Sequence, residues 1–272
     1  MRPALPLLLV NTPEVELWPA ALCPARGNAT ARALAGADIV LRRKRDGRHL
    51  AALGPRGLRP LMPGLAREPG LEAALDAVAV FAARHPETAA PGTLPGEAVH
   101  AGNAAMGLPE DYAETSGLAF HEEPRVLRYA GRDRYRRPLW LRAPAARAWR
   151  ALREAAWREG VMLEAISGYR SHAYQRGIFE RKFARGLGLA EILRVNAAPG
   201  HSEHHGGCAL DLGCPGEPPA EERFEHTPAY AWLQARAGAF GFRLSYPRGN
   251  PHGIVFEPWH WCWQPPGTPA HA

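Results

Sequence analysis

Two short stretches carry the residue types that metal-assisted hydrolysis needs. The first, 199-PGHSEHHGGCALDLG-213, sets three histidines, Glu203, Cys208 and Asp211 around a glycine turn. The second, 254-IVFEPWHW-261, holds Glu257 and His260. A catalytic zinc takes three nitrogen or oxygen ligands, keeps a position open for water, and works beside a carboxylate that is not a ligand. In 208-CALDL-212, strand alternation puts Cys208, Leu210 and Leu212 on one face, which reads as the core face, and Ala209 and Asp211 on the other. Gly206 and Gly207 let the chain reverse tightly, so a histidine ahead of the turn can meet Asp211 after it. Cys208 reads as a small buried hydrophobe. In the second stretch, alternation pairs Val255 with Glu257 and Ile254 with Phe256, and Pro258 stops the strand before His260. A carboxylate and an imidazole at this separation can share one water, the imidazole holding a metal and the carboxylate taking the proton. Glu-x-x-His alone is a weak pattern. Joined to a His-x6-Asp pattern upstream, it becomes specific.

These residues need elements to hold them. Pro144 opens a helix over 144–159 that Gly160 closes, with Ala148, Leu152, Ala155 and Ala156 on one face. It feeds a strand, 161–167, which ends in 168-GYRS-171. Helices over about 171–185 and 189–194 precede the strand through 208–212. Thr227-Pro228 caps a further helix that ends near Gly238. Strands 242–246 and 253–257 then flank the turn 247-PRGNPHG-253. Strands and helices mix without regular βαβ alternation, and nothing repeats. The expected class is α+β, a small central antiparallel sheet flanked by helices.

Upstream, 86-PETAAPGTLPGE-97 reads as a linker, rich in proline, glycine and small residues. It separates a smaller N-terminal region, residues 1–95, from a domain spanning 98–265. Residues 266–272 read as a disordered tail. Within the N-terminal region, Asp46-Gly47 marks a β-hairpin over 39–53, and the apolar spacing from Leu71 to Arg84 fits one helix. No catalytic constellation is found there.

From about Tyr112 to Trp263 the chain resembles the VanY-type zinc D-alanyl-D-alanine carboxypeptidases, which trim peptidoglycan stem peptides. The resemblance rests on 167-SGYRSHAYQ-175, 199-PGHSEHHGGCALDLG-213, 229-AYAWLQARAGAFGFRLSYP-247 and 257-EPWHW-261, in the family's order and at similar spacings. It implies a zinc cleft holding one Zn2+ per chain, with His204, Asp211 and His260 as its ligands. Glu257 would be the general base, taking a proton from the attacking water and returning it to the leaving amine. Arg170 would lie beside the substrate, where a two-pronged guanidinium suits a terminal carboxylate or a developing oxyanion. Gln175 and Ser202 would line the substrate end of the cleft, and Tyr246 is a candidate of the same kind. Glu203 reads as a surface or supporting residue, and His201 and His205 as flanking residues. Trp259 and Trp261 would wall the cleft or fill the core.

The implied activity is removal of a C-terminal D-amino acid, D-Ala, from a peptidoglycan stem peptide, of D,D- or L,D-type. A peptidoglycan endopeptidase or endolysin on the same zinc scaffold is the alternative, because the zinc set is common to all of these. The presence of Glu257 beside three ligands argues against a catalytically dead zinc-binding module.

Composition narrows the rest. The 272 residues carry a formal charge of +6, almost all of it arginine, since Lys44 and Lys182 are the only lysines. With abundant alanine, glycine and proline, this reads as compositional bias rather than nucleic-acid binding, and no phosphate loop or aromatic-interleaved basic motif argues otherwise. Between Arg26 and Glu68 ten basic residues stand against three acids, which reads as a solvated face. No apolar run approaches the ~20 residues of a membrane span. The N-terminal Leu-rich run is broken by Asn11–Glu16, so a cytoplasmic location is favoured over an exported, periplasmic one. That tilts the substrate toward muropeptides undergoing turnover and so toward L,D-specificity. Four cysteines without a CxxC pair imply no disulfide scaffold.

Overall fold

The computed structural model describes residues 7–25, 27–83 and 92–265. Most of the expected linker at 86–97 and the whole of the expected tail at 266–272 lie outside these residues. The chain divides into two compact units, Met1–Pro95 with Glu123–Arg128, and Gly96–Glu122 with Tyr129–Ala272.

The first unit is built on an antiparallel sheet. Its strands are β1 (Leu8–Asn11), β2 (Val15–Pro19), β3 (Ile39–Arg43), β4 (His49–Gly54) and β5 (Gly57–Pro60), with α1 (Asn28–Leu34) between β2 and β3 and α2 (Leu71–Ala83) after β5. They lie in the order β5-β4-β3-β2-β1, and the expected hairpin is β3–β4, with Val40 opposite Ala52. Val15, Leu17, Leu41, Leu50 and Ala51 are buried together, and Leu71, Ala74, Ala77 and Val78 of α2 close over them. This is the i, i+3, i+6, i+7 stripe of an amphipathic helix. The basic stretch is partly neutralised: Arg42 bonds Glu16 at 2.5 Å, and Arg43 bonds Asp46 and Glu68 at 2.6 and 2.7 Å. Lys44 is fully buried and bonds Glu123. Such a pair is tolerable only because each charge meets its opposite, and removing one partner would strand the other.

A sixth strand, β6 (Val126–Arg132), pairs its first three residues with β1 and then runs into the second unit. There the elements are α3 (Glu97–Ala105), α4 (Tyr112–Ser116), β7 (Pro138–Leu141), α5 (Ala143–Arg158), β8 (Glu164–Ser167), α6 (His172–Phe183), α7 (Leu189–Leu193), β9 (Ala209–Gly213), α8 (Pro228–Arg236), β10 (Phe242–Leu244) and β11 (His260–Trp263). The chain is α+β, as the sequence implies. Four strands form an antiparallel sheet in the order β10-β11-β9-β8. Helix α5 buries Ala145, Ala146, Trp149, Leu152 and Ala156 against Leu210 and Leu212 of β9 and Trp261 of β11. Trp149, not an alanine, is the largest side chain of that stripe; Ala148 and Ala155 sit at its half-buried margins. Ser171 and Thr227 cap α6 and α8, their hydroxyls accepting from the N–H groups of Tyr174 and Tyr230 at 3.1 Å. Among the described residues no helix is long and apolar enough to cross a membrane.

One expected strand is absent. Residues 253–257 join no ladder, and the strand lies further on, at β11. The segment is extended and does alternate, Ile254 and Phe256 being buried while Val255 and Glu257 are half-buried. However, its backbone donates to loops and helix ends, Val255 N–H to the Arg194 carbonyl at 2.9 Å and Glu257 N–H to that of Tyr246 at 3.0 Å. Alternation reports which side faces the core; it does not report a hydrogen-bonded neighbour.

Candidate metal centre

His204 sits in a single tight turn, Glu203–Gly206, that ends on Gly207. Gly207 has a φ of 69°, a left-handed conformation that a side chain would disfavour. The turn is clamped by Arg142, whose Nε donates to the Gly206 carbonyl at 2.6 Å and whose backbone N–H donates to that of Gly207 at 2.8 Å. His204 Nδ1 lies 2.8 Å from the Gly168 carbonyl. A carbonyl can only accept, so Nδ1 carries the proton and Nε2 is left as a lone pair. That lone pair faces Asp211, with Nε2 3.3 Å from Oδ1.

Asp211 comes from β9 and His260 from β11, and the two are direct partners in the β9–β11 register. Cross-strand partners project to the same face. His260 Nδ1 therefore lies 3.3 Å from the same oxygen, Asp211 Oδ1. The ligand atoms of His204, Asp211 and His260 all fall within 4.8 Å of one another, and all three residues are buried. Among the described residues this is the one such cluster. Two imidazoles and a carboxylate form the donor set of an open catalytic zinc site.

Glu257 stands at the edge of this cluster, its Oε2 3.9 Å from His260 Nδ1. Burial raises its pKa to about 7, with Asp211 and Glu203 adding to the effect and His260 and Arg170 opposing it. Asp211 moves the other way: His204 and His260 hold it well below the usual carboxylate range despite the cost of burial. Two carboxylates on one site thus have opposite proton affinities, a pattern of functional sites.

Arg170 follows β8 and is aimed by its neighbours. Its guanidinium donates to Gln175 Oε1 at 2.9 Å and to Ser167 Oγ at 3.4 Å, and lies 3.7 Å from Asp211 Oδ2. His205 is fully buried, and its Nδ1–H donates to the Arg170 carbonyl at 2.6 Å. His201 does the same for the Leu118 carbonyl at 2.9 Å. Both flanking histidines pin backbone.

Three residues expected to line the cleft are buried in the structure. Gln175 is 1% exposed, and its amide is used at both ends, accepting from Arg170 and donating to the Ala197 carbonyl at 2.8 Å. It braces Arg170 with its carbonyl oxygen and holds the Ala197 carbonyl with one of its two amide N–H groups. Ser202 is buried at the start of the His204 turn. Tyr246 is 3% exposed and packs its ring 4.8 Å from that of His260. It backs the imidazole. Trp261 fills the core, and Trp259 packs against its edge. The four cysteines are free.

Sequence reasoning undervalued Glu203. Its Oε2 accepts from His260 Nε2 at 2.8 Å, on the far side of the ring from Asp211. Hydrogen bonding and charge from His260 overcome the cost of burial and bring Glu203 down to about 2. His260, held between two carboxylates, rises to about 10 against the pull of burial.

Residues 138–266 match the family model of VanY, D-alanyl-D-alanine carboxypeptidase. This stretch is similar to the VanY family. Every residue of the cluster above lies inside the matched stretch. Over 125 residues it is 35% identical to YodJ of Bacillus subtilis (strain 168), covering 44% of this chain and 45% of that protein. It is 30% identical over 127 residues to the bifunctional D-Ala-D-Ala dipeptidase and D-Ala-D-Ala carboxypeptidase VanXYC of Enterococcus gallinarum, covering 45% of this chain and 66% of that one. Among solved structures, the VanY D,D-pentapeptidase of the VanB-type resistance cassette, in complex with Zn(II), is 28% identical. The match covers 46% of this chain and 72% of that chain, with a TM-score of 0.38. The chain thus spans from about half to just under two thirds of the two curated relatives' lengths.

Proposed function

We propose that the matched stretch is a zinc-dependent carboxypeptidase that removes a C-terminal D-amino acid from peptidoglycan stem peptides. The observation that carries this reading is the convergence of His204, Asp211 and His260 with Glu257 beside them. The donor set fits zinc by its chemistry, and the His204 lone pair is already turned toward Asp211. Zinc held by these three side chains would supply Lewis acidity, polarising the scissile carbonyl and making water acidic near neutral pH.

The protein's own groups do the rest. Glu257 accepts the proton of the attacking water and passes it to the leaving amine, two transfers best served by a pKa near the working pH. Arg170, steadied by Gln175 and Ser167, offers a planar pair of donors to the substrate's terminal carboxylate. A cation committed to that carboxylate favours an exopeptidase over the endopeptidase alternative. Gly168 and Asp211 fix the His204 and Arg170 geometry before substrate arrives, so little reorganisation is left to the reaction.

The test is to incubate purified, zinc-loaded protein with muropeptide tetrapeptides and pentapeptides and follow the products by mass spectrometry. Loss of one D-Ala from the tetrapeptide gives L,D-type activity, and from the pentapeptide D,D-type. Cleavage within a cross-bridge, without release of a terminal residue, would replace the carboxypeptidase reading with the endopeptidase one. No cleavage of any of them would refute both.

A further inference from the structure

The C-terminal half of α5 carries a face that the fold leaves open. Arg150, Arg153, Glu154 and Trp157 stand at the i, i+3, i+4, i+7 spacing of one helix face. Gly160, at a φ of 79°, then reverses the chain, and the Val161 N–H donates to the Ala156 carbonyl at 2.8 Å. The returning residues, Val161 to Leu163, close a groove of about 550 Å³ against that face. Sites for small molecules occupy roughly 300–1,000 Å³. Leu163 is buried in the core beneath it, whereas Trp157 and Met162 remain 67% and 55% exposed. The groove lies on the α5 side of the sheet, where Leu210 and Leu212 are buried; Asp211, between them on β9, projects to the opposite face. It is separate from the metal centre.

The charge of the groove is unbalanced. Glu154 is the one acid lining it, and Arg158, one turn on, bonds that carboxylate. Arg150 and Arg153 meet no acidic partner among the described residues, and the Arg153 guanidinium sits over Trp149, 5.7 Å from the ring centroid. Two guanidiniums without counter-ions beside an open indole select an anion that also has an apolar face. A carboxylate matches the paired N–H groups of a guanidinium, and a sugar ring can lay its C–H face on an indole while its hydroxyls meet polar neighbours. An extended peptide would need a strand edge to pair with, and the lining is a helix and three residues ahead of β8. A bilayer would need these apolar groups on a protruding face, and here they line a hollow.

We infer that this groove binds an acidic saccharide, its ring stacked on Trp157 and its carboxylate held by Arg150 and Arg153. The site goes beyond the carboxypeptidase reading, and binding is measured without turnover, so either can fail alone.

The test is an NMR titration of the zinc-loaded protein with two sugars. N-acetylmuramic acid carries a free lactyl carboxylate; N-acetylglucosamine is the same sugar without it. The acid should bind about tenfold more tightly or better, the worth of charge-assisted hydrogen bonds. Trp157→Ala should weaken both sugars, and Trp157→Phe, which keeps a ring, should weaken them less. The double substitution Arg150→Met with Arg153→Met should erase the preference for the acid. The altered side chains are exposed, and an unchanged circular dichroism spectrum verifies that each variant is folded. Equal affinity of the wild-type protein for the two sugars, or binding of neither, would overturn the proposal. So would binding of the acid that survives Trp157→Ala, since the sugar would then sit elsewhere. A short glutamate peptide that binds more tightly than the acid, and is lost on the same substitutions, would make the groove a peptide site instead.

Discussion

Asp211 and His260 are direct partners across the β9–β11 ladder, and the carboxylate of one stands 3.3 Å from the imidazole Nδ1 of the other. They are separated by 49 residues of chain, yet sheet register fixes their separation as firmly as a helix turn would. His204 reaches the same oxygen from a turn that leads straight into β9.

Metal content should follow from this. The purified protein is expected to carry about one zinc per chain. His204→Ala or His260→Ala should lose the metal and the activity together, because neither remaining pair of ligands closes the site. Elemental analysis of each variant checks it, and full occupancy in either would remove that residue from the ligand set.

Glu257→Gln should separate chemistry from metal binding. Zinc should stay, while kcat falls by roughly 10²–10⁴-fold, the usual worth of a general base. A variant emptied of zinc would make Glu257 a ligand instead.

The same substitution has a pH signature in the metal-free protein. Glu257 binds its proton more tightly when folded, at about 7 against an ordinary value of 4.5, chiefly through burial. Its stabilising contribution is therefore complete below 4.5 and is lost as pH rises through 7. Glu257→Gln cannot ionise, so its stability advantage over wild type should grow across that window, by on the order of 2–3 kcal/mol. Urea denaturation of chelator-treated proteins on either side of the window measures it. An unchanged difference would mean that Glu257 is not buried as an acid.

Zinc uptake should release protons. In the metal-free protein His260 is held protonated, with a pKa of about 10, by Asp211 and Glu203 acting against burial. A ligating nitrogen must give up its proton. Titration calorimetry at pH 8 in buffers of different ionisation enthalpy should return about one proton per zinc. Zero would mean His260 is already neutral.

Arg170→Lys exchanges a planar fork for a point charge and cannot serve Gln175 and a substrate carboxylate alike. Losses in kcat/KM should be much greater for peptides with a free C-terminus than for amidated ones, with zinc content unchanged. Equal losses on both would assign Arg170 to the developing oxyanion.

His204, Asp211, Glu257 and His260 were legible through the family resemblance of their motifs; spacing alone left open which histidine ahead of the glycine turn meets Asp211. Glu203 was not, since its role depends on the second nitrogen of a ring 57 residues away. Gln175 was legible as belonging to the site but not as spent on Arg170 and Ala197, which only contacts reveal. Residues 253–257 alternate like a strand because Ile254 and Phe256 face the core, a pattern that any extended segment lying on a core produces. The sheet of the first unit beyond the β3–β4 hairpin offered no reactive residues to read.

The missing strand has a mechanical consequence. His260 and Asp211 belong to the β9–β11 ladder, whereas Glu257 lies outside it, its N–H donating to the Tyr246 carbonyl at 3.0 Å and its own carbonyl accepting from the His260 N–H at 3.1 Å. The position of Glu257 thus answers to those two backbone bonds, whereas that of Asp211 and His260 answers to strand register.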